Sequence, residues 1–476
     1  MNDMILILDR SQEFGMELAR RLRAEQIDAR IAHADTAVED IRGFDPRGII
    51  LCGEANGELD GEILKLGIPV LAVGRAAYRL LACMGGANAG VAISEKKAQV
   101  IYGRSALFTG VGDSERFFHE VQTLMLPADV TETANAAGCT IAFEDTANRY
   151  YGIQFDLERN DLEGSQILTN FVLDICGCTR TWTLETALNQ AQQLLADAAA
   201  QGSHAICAIS GGVDSTLCAL LAHKAFGGKM TAIFVDTGLM REGEADDVQK
   251  TMEAFGIDMQ RVDRSQEVLA ALAGKRSMED KREIVVAFMH AELLRRSVQI
   301  PGAKTLVLGT NYSDYLESGS GAPRWCASGM TVVEPLTALF KEEIRGIGQM
   351  LQMSEELVGR KPFPALGLGA RIVGEVTCER LQALRTAERI FRMEIEQAGL
   401  ERRLYKYFPI FIGGETLGSE MIVLRAVTLS GGQLIPARLP YDLVERTVEG
   451  ILRELPGIAR VFYDQTPTAI GQESFN

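Results

Sequence analysis

The sequence predicts an α/β protein with two doubly wound parallel sheets in succession and a small α+β unit at the C-terminus. Two observations predict this fold class. Short apolar runs alternate with helical segments up to about residue 360, which is typical of parallel sheets covered by helices on both faces. From residue 361 onward the order becomes helix, two strands, helix and strand, which is typical of a compact α+β unit.

The composition is that of a globular protein, with 47% hydrophobic and 24% charged residues in a chain of 476. This length predicts about two to four domains. The net charge of −16 disfavours a long phosphate-tracking surface, so no nucleic-acid partner is expected. No apolar run approaches the roughly 20 residues of a membrane span, so a cytoplasmic protein without a membrane partner is expected. The nine cysteines are scattered, which favours packing roles over a zinc site or a disulfide framework.

The first region, residues 1–182, has the alternation of a doubly wound sheet. Buried strands are predicted at Ile5–Leu8, Gly48–Cys52 and Pro69–Val73, and an amphipathic helix is predicted at residues 13–25. A helix rich in Ala, Leu and Gln, predicted at residues 183–200, leads into the second region, residues 183–360.

A candidate phosphate-binding loop follows the first strand of the second region. The buried run Ala205–Ile209 ends in the string SGGVDS, and an amphipathic helix is predicted directly after it. Two glycines allow a tight turn that brings backbone N–H groups to an anion at the positive end of the helix dipole. The residues of the candidate loop are Ser210, Gly211, Gly212, Val213, Asp214, Ser215 and Thr216. The alternative is an ordinary turn in which a serine caps the helix.

Asp214 is the unusual member of this loop, because a carboxylate among phosphate oxygens is repelled unless a cation lies between them. We therefore interpret it as a Mg²⁺ ligand. A second buried run, Met230–Val235, ends in Asp236, and a third, Thr305–Leu308, ends in Gly309 and Thr310. Since the carboxyl ends of parallel strands share one edge of a sheet, these residues are expected beside the same ligand.

Several strings resemble one family of enzymes. SGGVDS resembles the pyrophosphate loop of the ATP pyrophosphatases, which split ATP into AMP and pyrophosphate, and it fits neither GxxxxGK[ST] nor GxGxxG. FVDTGL, GTNYSDYLES, EPLTALFKEEIR and the block beginning KPFP resemble the corresponding segments of GMP synthases. ILILD, FDPRGIILCG, PVLAV and GIQFDLE resemble the class I glutamine amidotransferase domain of the same family. The resemblance covers the chain essentially from end to end.

The amidotransferase region departs from the family at three parts of one mechanism. The register of the nucleophilic cysteine holds Gly74, and the histidine of the family's FHPE string is replaced by Asp156, although Glu158 remains. The oxyanion loop reads GEA at residues 53–55. Because cysteine chemistry needs a thiolate, a base and oxyanion donors together, a domain without glutaminase activity is expected. Cys52, Cys83, His33 and His119 fit no triad spacing and are interpreted as structural.

The resemblance assigns roles in the second region. It implies that Lys341 supplies positive charge to the α-phosphate and the departing pyrophosphate, that Asp214 is catalytic with it, and that Glu343 is a second Mg²⁺ ligand. It also places Asp236, Gly309, Thr310 and Asp314 beside ATP, although Asp314 and Glu317 have the alternative of acids at a helix start. Lys281 and Arg282 either close over the triphosphate or begin a solvated basic helix.

The third region, residues 361–476, resembles the family's C-terminal dimerisation domain, which implies a homodimer. The substrate-binding residues implied by the resemblance are Glu317, Arg371, Arg425 and Glu473. The segment 319–330 lacks the family's histidine pair, and the C-terminal tail lacks its lysine. The site for the acceptor nucleotide is therefore in question.

Three functions follow from this resemblance and its departures. The first is a GMP-synthase-like ligase that uses ATP and Mg²⁺ to adenylate a purine nucleotide, xanthosine monophosphate in the family, and displaces AMP with ammonia. Ammonia then comes from solution or from a separate glutaminase subunit. The second is the same ATP chemistry on a different acceptor. The third is a non-catalytic paralogue that binds nucleotide or a partner enzyme.

Overall fold

The structure, a computed structural model, describes residues 3–9, 13–53, 59–93, 97–118, 120–157, 161–319, 329–360, 366–414, 419–430 and 433–469. The chain divides into two compact units, Met1–Ala187 and Leu188–Asn476. The division into three domains at residues 182 and 360 stays a prediction. Among the described helices, none combines the length and the apolar character that a bilayer crossing requires.

The described strands of the first unit are β1 (Met4–Asp9), β2 (Asp28–His33), β3 (Gly48–Cys52), β4 (Val70–Val73), β5 (Ala87–Ile93), β6 (Lys97–Tyr102), β7 (Ser114–Phe117), β8 (Val121–Met125), β9 (Thr131–Ala136), β10 (Cys139–Asp145) and β11 (Tyr150–Ile153). Its helices are α1 (Glu13–Ala24), α2 (Val38–Phe44), α3 (Ala76–Cys83) and α4 (Leu162–Thr169), with a π-helical turn at Asn170–Ile175. Helix α5 (Leu184–Ala200) begins at the end of this unit.

The main sheet of the first unit has the strand order β2-β1-β3-β4-β11-β10-β9-β6-β7 among the described residues. The first five strands are parallel, and β10, β9, β6 and β7 extend the sheet in antiparallel fashion. Strand β1, MILILD, is buried at every position because helices cover both faces of the parallel part. The predicted α/β class is confirmed, and the antiparallel extension is a feature that apolar runs did not reveal.

The second unit continues with strands and helices in alternation. Its described strands are β12 (His204–Ile209), β13 (Met230–Asp236), β14 (Met259–Asp263), β15 (Ala303–Val307), β16 (Thr331–Val333), β17 (Ile372–Val373), β18 (Lys406–Ile412), β19 (Glu420–Ser430), β20 (Gln433–Pro436), β21 (Ile458–Tyr463) and β22 (Thr468–Ala469). Its described helices after α5 are α6 (Val213–Phe226), α7 (Glu244–Ala254), α8 (Ser265–Leu272), α9 (Met278–Gln299), α10 (Tyr312–Ser318), α11 (Lys341–Met350), α12 (Glu355–Val358), α13 (Cys378–Gln397) and α14 (Tyr441–Glu454).

Strands β14-β13-β12-β15-β16 form a sheet in this order, and all neighbours are parallel. The chain leaves β12 towards β13 on one side and later returns to place β15 on the other. Such a reversal of strand order opens a crevice at the carboxyl ends of the two central strands, and ligands bind there in open α/β sheets. The loop at residues 210–212 and the segment beginning at Gly309 both start at this crevice.

The sequence predicted that helix α6 is amphipathic, and the structure shows that it is not. Its buried residues lie on nearly every side of the helix and include polar ones, Ser215 and Thr216. Contacts of α6 with β12, β13, β15 and α11 explain this burial. A helix enclosed in this way is held rigidly at its N-terminus, where the candidate site lies.

The C-terminal part of the second unit contains a sheet in the order β17-β18-β19-β20-β22, with β21 paired to β19. The predicted helix-strand-strand-helix-strand order is present, and β17, β20 and β22 are additional short strands. This part shares a hydrophobic core with α8 and α9: Val268, Leu272 and Val285 pack in one cluster with Leu384 and Phe391 of α13.

Candidate functional site

The loop after β12 forms the predicted turn from strand to helix. Gly211 has φ +82°, and an added Cβ would lie 2.4 Å from Val248 Cγ2 of α7. Only glycine fits both the left-handed backbone and this close approach. Gly212 is the N-cap of α6 and has extended backbone angles, so the first N–H groups of α6 point out of the helix end.

The hydroxyl groups of the loop stabilise the turn itself. Ser215 Oγ accepts a hydrogen bond from Ser210 N (3.2 Å) and lies 3.0 Å from Ser210 Oγ. Ser215 Oγ also donates to Gly212 O (3.2 Å). Thr216 is fully buried, and its hydroxyl has no hydrogen-bond partner among the described residues. Of the three hydroxyl-bearing residues of the candidate loop, Ser210 is the one that is exposed.

Asp214, Lys341 and Asn311 meet at the first turn of α6. Lys341 Nζ lies 2.9 Å from Asp214 Oδ2, and Asn311 Nδ2 donates to the same oxygen at 3.2 Å. The side chains of Asp214 and Lys341 are 15% and 35% exposed, so the pair is partly desolvated but still open to a ligand. The structure thus brings the two predicted catalytic residues into contact, and it adds Asn311, which the sequence patterns did not indicate.

Asp214 Oδ1 is buried and has no hydrogen-bond partner among the described residues. An unpartnered carboxylate oxygen beside the candidate phosphate-binding loop fits a Mg²⁺ ion, which commonly takes one or two protein carboxylates and completes its shell with phosphates and water. Within the described residues no cluster of three or more His, Cys, Asp or Glu side chains offers a complete metal site. A metal ion here would therefore depend on oxygens of the nucleotide.

Glu343 has a local role in α11. Its Oε2 accepts a hydrogen bond from Phe340 N (2.8 Å) and so caps the helix that begins with Lys341. Its predicted metal contact stays a prediction.

The segment after β15 packs tightly on the start of α6. An added Cβ at Gly309 would lie 2.9 Å from Ser215 Cα and 3.0 Å from Ser215 N, so glycine is required by packing. Thr310 Oγ1 donates to Glu334 Oε1 at 2.6 Å. Asp314 forms a capping box with Asn311 at the start of α10, the alternative considered from the sequence, and Glu317 is exposed further along this helix.

Asp236 ends β13, at the same edge of the sheet. Its Oδ2 accepts from Arg261 Nη2 at 2.7 Å, and its Oδ1 accepts from Gly238 N at 2.9 Å. The hydrogen bond to Asp236 raises the pKa of the Arg261 guanidinium above its usual value. Asp236 thus fixes the turn at Gly238, and its predicted contact with ATP stays a prediction.

The predicted acceptor-binding residues lie in varied environments. Arg371 is buried with its guanidinium 4.5 Å from the centre of the Phe408 ring. Arg425 is also buried, forms an ion pair with Asp464 and donates to Thr468 Oγ1 at 2.7 Å. The structure gives Arg425 an internal role, the anchoring of residues 464–468, because a buried guanidinium is paired with the nearest carboxylate. Glu473 and residues 320–328 lie outside the described residues.

Lys281 departs from both roles expected from the sequence. It is 1% exposed, and its Nζ donates to Ile372 O at 2.7 Å, so it neither covers a triphosphate nor begins a solvated helix face. Burial lowers the pKa of Lys281 to about 8. Val285 lies one helical turn after Lys281 and is also buried. This spacing was the sequence signal that could have placed Lys281 on the buried face of α9. Arg282 is exposed, as a solvated helix start requires.

In the first unit, Gly74 lies between β4 and α3 with φ +63°. A Cβ added there would be in ordinary van der Waals contact with Asp156 Oδ1, at 3.8 Å. The sharp turn between a strand and a helix that holds a nucleophile in related folds is therefore present without one. Cys52 is buried beside Leu8 O, and Cys83 lies 3.4 Å from Leu59 O. Glu158, His119 and residues 54–55 lie outside the described residues.

Comparisons with known proteins show what the chain is similar to. The family model described as NAD synthase matches residues 185–374. A GMP synthase [glutamine-hydrolyzing] of Geobacillus kaustophilus is 32% identical over 98% of this chain and 98% of its own length. A GMP synthase [glutamine-hydrolyzing] of Caldicellulosiruptor saccharolyticus is 34% identical, again over 98% of each chain. A solved structure from Thermoplasma acidophilum, described as that of a GMP synthase component, matches 37% of this chain and 94% of its own, with 22% identity and a TM-score of 0.34.

Proposed function

Because the chain belongs to the GMP synthase family, we propose that it is an ATP-dependent aminating ligase that adenylates a purine nucleotide and displaces AMP with ammonia. The observation that supports ATP cleavage most directly is the 2.9 Å contact between Lys341 Nζ and Asp214 Oδ2 at the start of α6. It places a positive charge and an anion-binding helix end at one point of the sheet edge.

In the proposed reaction a carbonyl oxygen of the acceptor attacks the α-phosphorus of ATP, and the bond from this phosphorus to the bridging oxygen of pyrophosphate breaks. The N–H groups of Gly211 and Gly212 and of the first turn of α6 are proposed to donate to the departing pyrophosphate. Lys341 offsets the negative charge that accumulates on it. Ammonia then attacks the activated carbon, and AMP leaves with the bonding electron pair.

Asp214 is the residue proposed to hold Mg²⁺, through its unpartnered Oδ1. A bound Mg²⁺ would neutralise charge on the phosphates and orient them. Lys341 and Asn311 both contact Asp214 Oδ2. These contacts fix the orientation of the carboxylate and therefore the direction in which Oδ1 points. Glu343 is proposed only as a second ligand, since its Oε2 already caps α11.

We also propose that the chain has no glutaminase activity of its own. The support is Gly74, which has a strand-to-helix turn with φ +63° but no side chain to act as nucleophile. Asp156 faces this point where the family has a histidine base, and a carboxylate is in general a weaker base towards a thiol than an imidazole. Ammonia is therefore proposed to come from solution or from a separate glutaminase subunit, and the active form is proposed to be a homodimer through residues 361–476.

The test is incubation of the purified chain with ATP, Mg²⁺, ammonium and xanthosine monophosphate, with assays for pyrophosphate and GMP. Formation of both is expected. Pyrophosphate with another acceptor, but not with xanthosine monophosphate, would support the same chemistry on a different substrate. Absence of pyrophosphate with any acceptor would leave a nucleotide-binding paralogue.

Glutamine in place of ammonium is the matched control for the ammonia source. No GMP is expected from glutamine with this chain alone, and glutamate release would contradict the proposal. Addition of a separate glutaminase should restore product formation from glutamine.

A further inference from the structure

Arg360 lies next to the phosphate-binding loop although it is far from it in sequence. Its Nη1 donates to Gly211 O at 2.8 Å, and its Nη2 pairs with Glu244 Oε1, the first residue of α7. The side chain of Glu244 is 5% exposed, and its Oε2 accepts from Arg241 N at 3.1 Å. The guanidinium therefore bridges two fixed acceptors, a carboxylate and a loop carbonyl.

The contact with Gly211 O determines where the next N–H group points. In a trans peptide the C=O and the following N–H point in opposite directions. Because Arg360 holds Gly211 O on one side of the loop, Gly212 N–H faces the other side, where Ser210 Oγ lies 3.5 Å away. A distance of this length is at the limit of hydrogen bonding, so Gly212 N–H is largely available to a ligand.

Gly211 needs such a restraint. Glycine reaches many backbone conformations, and its φ of +82° is one of them, so the loop would lose entropy on binding an anion unless it is held beforehand. The charged guanidinium also polarises the peptide it contacts, which strengthens the N–H as a donor. Arg360 thus orders the loop before a ligand arrives.

The backbone of Arg360 is tied to the helix that carries Lys341. Arg345 Nη2, one turn further along α11, donates to Arg360 O at 3.3 Å. The same residue is thus connected to the loop through its side chain and to α11 through its carbonyl. Arg360 therefore links the helix that carries Lys341 to the loop that carries the N–H donors.

We propose that Arg360 is a positioning residue that pre-orders Gly212 N–H for the β- and γ-phosphates of ATP, with Glu244 as the residue that orients Arg360. This inference rests on the proposed function only in taking ATP as the ligand of the loop. It assigns Arg360 no contact with the reacting atoms.

The test is calorimetric titration of Mg·ATP, Mg·pyrophosphate and AMP into the full-length wild-type protein and into Arg360→Gln, Arg360→Lys and Glu244→Gln. The matched control is Arg264→Gln, which breaks an ion pair of the same exposure, 27% and 5% against 25% and 5%. We expect Arg360→Gln to weaken ATP and pyrophosphate binding by about tenfold, the effect of one charge-assisted hydrogen bond. Arg360→Lys and Glu244→Gln should fall between it and the wild type.

AMP distinguishes positioning from a general structural effect, because it lacks the β- and γ-phosphates. Its affinity should stay within about twofold in all variants, as should ATP affinity in the Arg264→Gln control. Kinetics should show a raised KM for ATP together with a lower kcat, because Gly212 N–H is also proposed to donate to the departing pyrophosphate. If Arg360→Gln does not fold, the ATP and AMP affinities of Glu244→Gln are compared with those of Arg264→Gln instead, and the same expectations apply.

Two results would overturn the inference in different ways. If the wild type binds ATP and the folded Arg360→Gln or Glu244→Gln variants bind it equally well, the positioning role is wrong and the proposed function stands. If the wild type binds neither ATP nor pyrophosphate, the phosphate site is wrong and both fail together.

Discussion

Asp214 and Lys341 are 127 residues apart in the sequence, yet their side chains meet at 2.9 Å. Asp214 was identified from the strand, the glycines and the helix start around it, which are local features, and Lys341 from the resemblance of EPLTALFKEEIR to the corresponding family segment. Their contact was not predicted, since it depends on how α11 packs against α6. Asn311 and Arg360 were missed for the same reason: an amide and an arginine gain their roles from a partner that no nearby residue reveals.

Replacement of Lys341 tests the charge at the site. Lys341→Gln removes the ammonium that faces the departing pyrophosphate, so the rate of pyrophosphate formation should fall by about 100-fold or more. The rate is measured with saturating ATP and ammonium. Lys304→Gln, a change at an exposed lysine of β15, is the control and should have no effect. Equal rates for the two variants would remove Lys341 from the mechanism.

Substitution of Gly309 tests the packing of this residue against the start of α6. Gly309→Ala places a Cβ 2.9 Å from Ser215 Cα, and the backbone must shift, with an expected loss of about 1 to 3 kcal/mol in the free energy of unfolding. Gly228→Ala is the matched control, because no atom lies within 4 Å of its added Cβ. Urea unfolding of both variants measures the difference. A Gly309→Ala variant as stable as Gly228→Ala would contradict the described packing.

At the scale of elements, α9 shows what residue patterns leave undetermined. Its start, SMEDKRE, is so polar that a solvated helix start was a reasonable expectation, yet Lys281 points into the core and holds Ile372 O at the beginning of β17. The helix connects the sheet that carries the candidate phosphate-binding loop to the C-terminal strands. Helices α6 and α9 were thus located correctly from their sequence, whereas the faces they bury depend on strands more than sixty residues away along the chain, at Ala303–Val307 and Ile372–Val373.

The buried Lys281 predicts a pH dependence of stability. Its folded pKa, about 8, lies below the 10.5 of a free lysine, so between these values the unfolded chain binds a proton that the folded chain does not. Stability from this group therefore increases as the pH rises from about 8 to 10.5 and is constant below this window. The difference in unfolding free energy between the wild type and Lys281→Met, measured in urea, should follow this course.

Other groups titrate in the same window, and their effects cancel in this difference because the two proteins share them. A difference that does not change with pH would show that Lys281 has an ordinary pKa and is hydrated. Lys304→Met, at an exposed position, should show no such trend.

At the scale of the whole molecule, the sequence was sufficient to predict the α/β class and the edge of the sheet that carries the loop. Repeated apolar runs define parallel strands well, because such strands are buried on both faces. The antiparallel strands β6, β7, β9 and β10 escaped detection since they are only partly apolar. The short strands β20 and β22 were not predicted either, because they are defined by their pairing with neighbouring strands and not by their composition.

The two units differ in what their chemistry retains. The first has a glycine, Gly74, at its strand-to-helix turn, whereas the second has the candidate phosphate-binding loop beside Asp214 and Lys341. This contrast supports the proposal that the ATP chemistry belongs to the second unit.

The central claim is that the chain cleaves ATP between the α- and β-phosphates, and the label in γ-³²P-ATP tests it most directly. The protein is incubated with labelled ATP, Mg²⁺, ammonium and xanthosine monophosphate, and the products are separated by chromatography. We expect label in pyrophosphate, equal amounts of AMP, and loss of both in Lys341→Gln. Label in orthophosphate together with ADP would contradict the claim, because cleavage would then occur at the terminal phosphate.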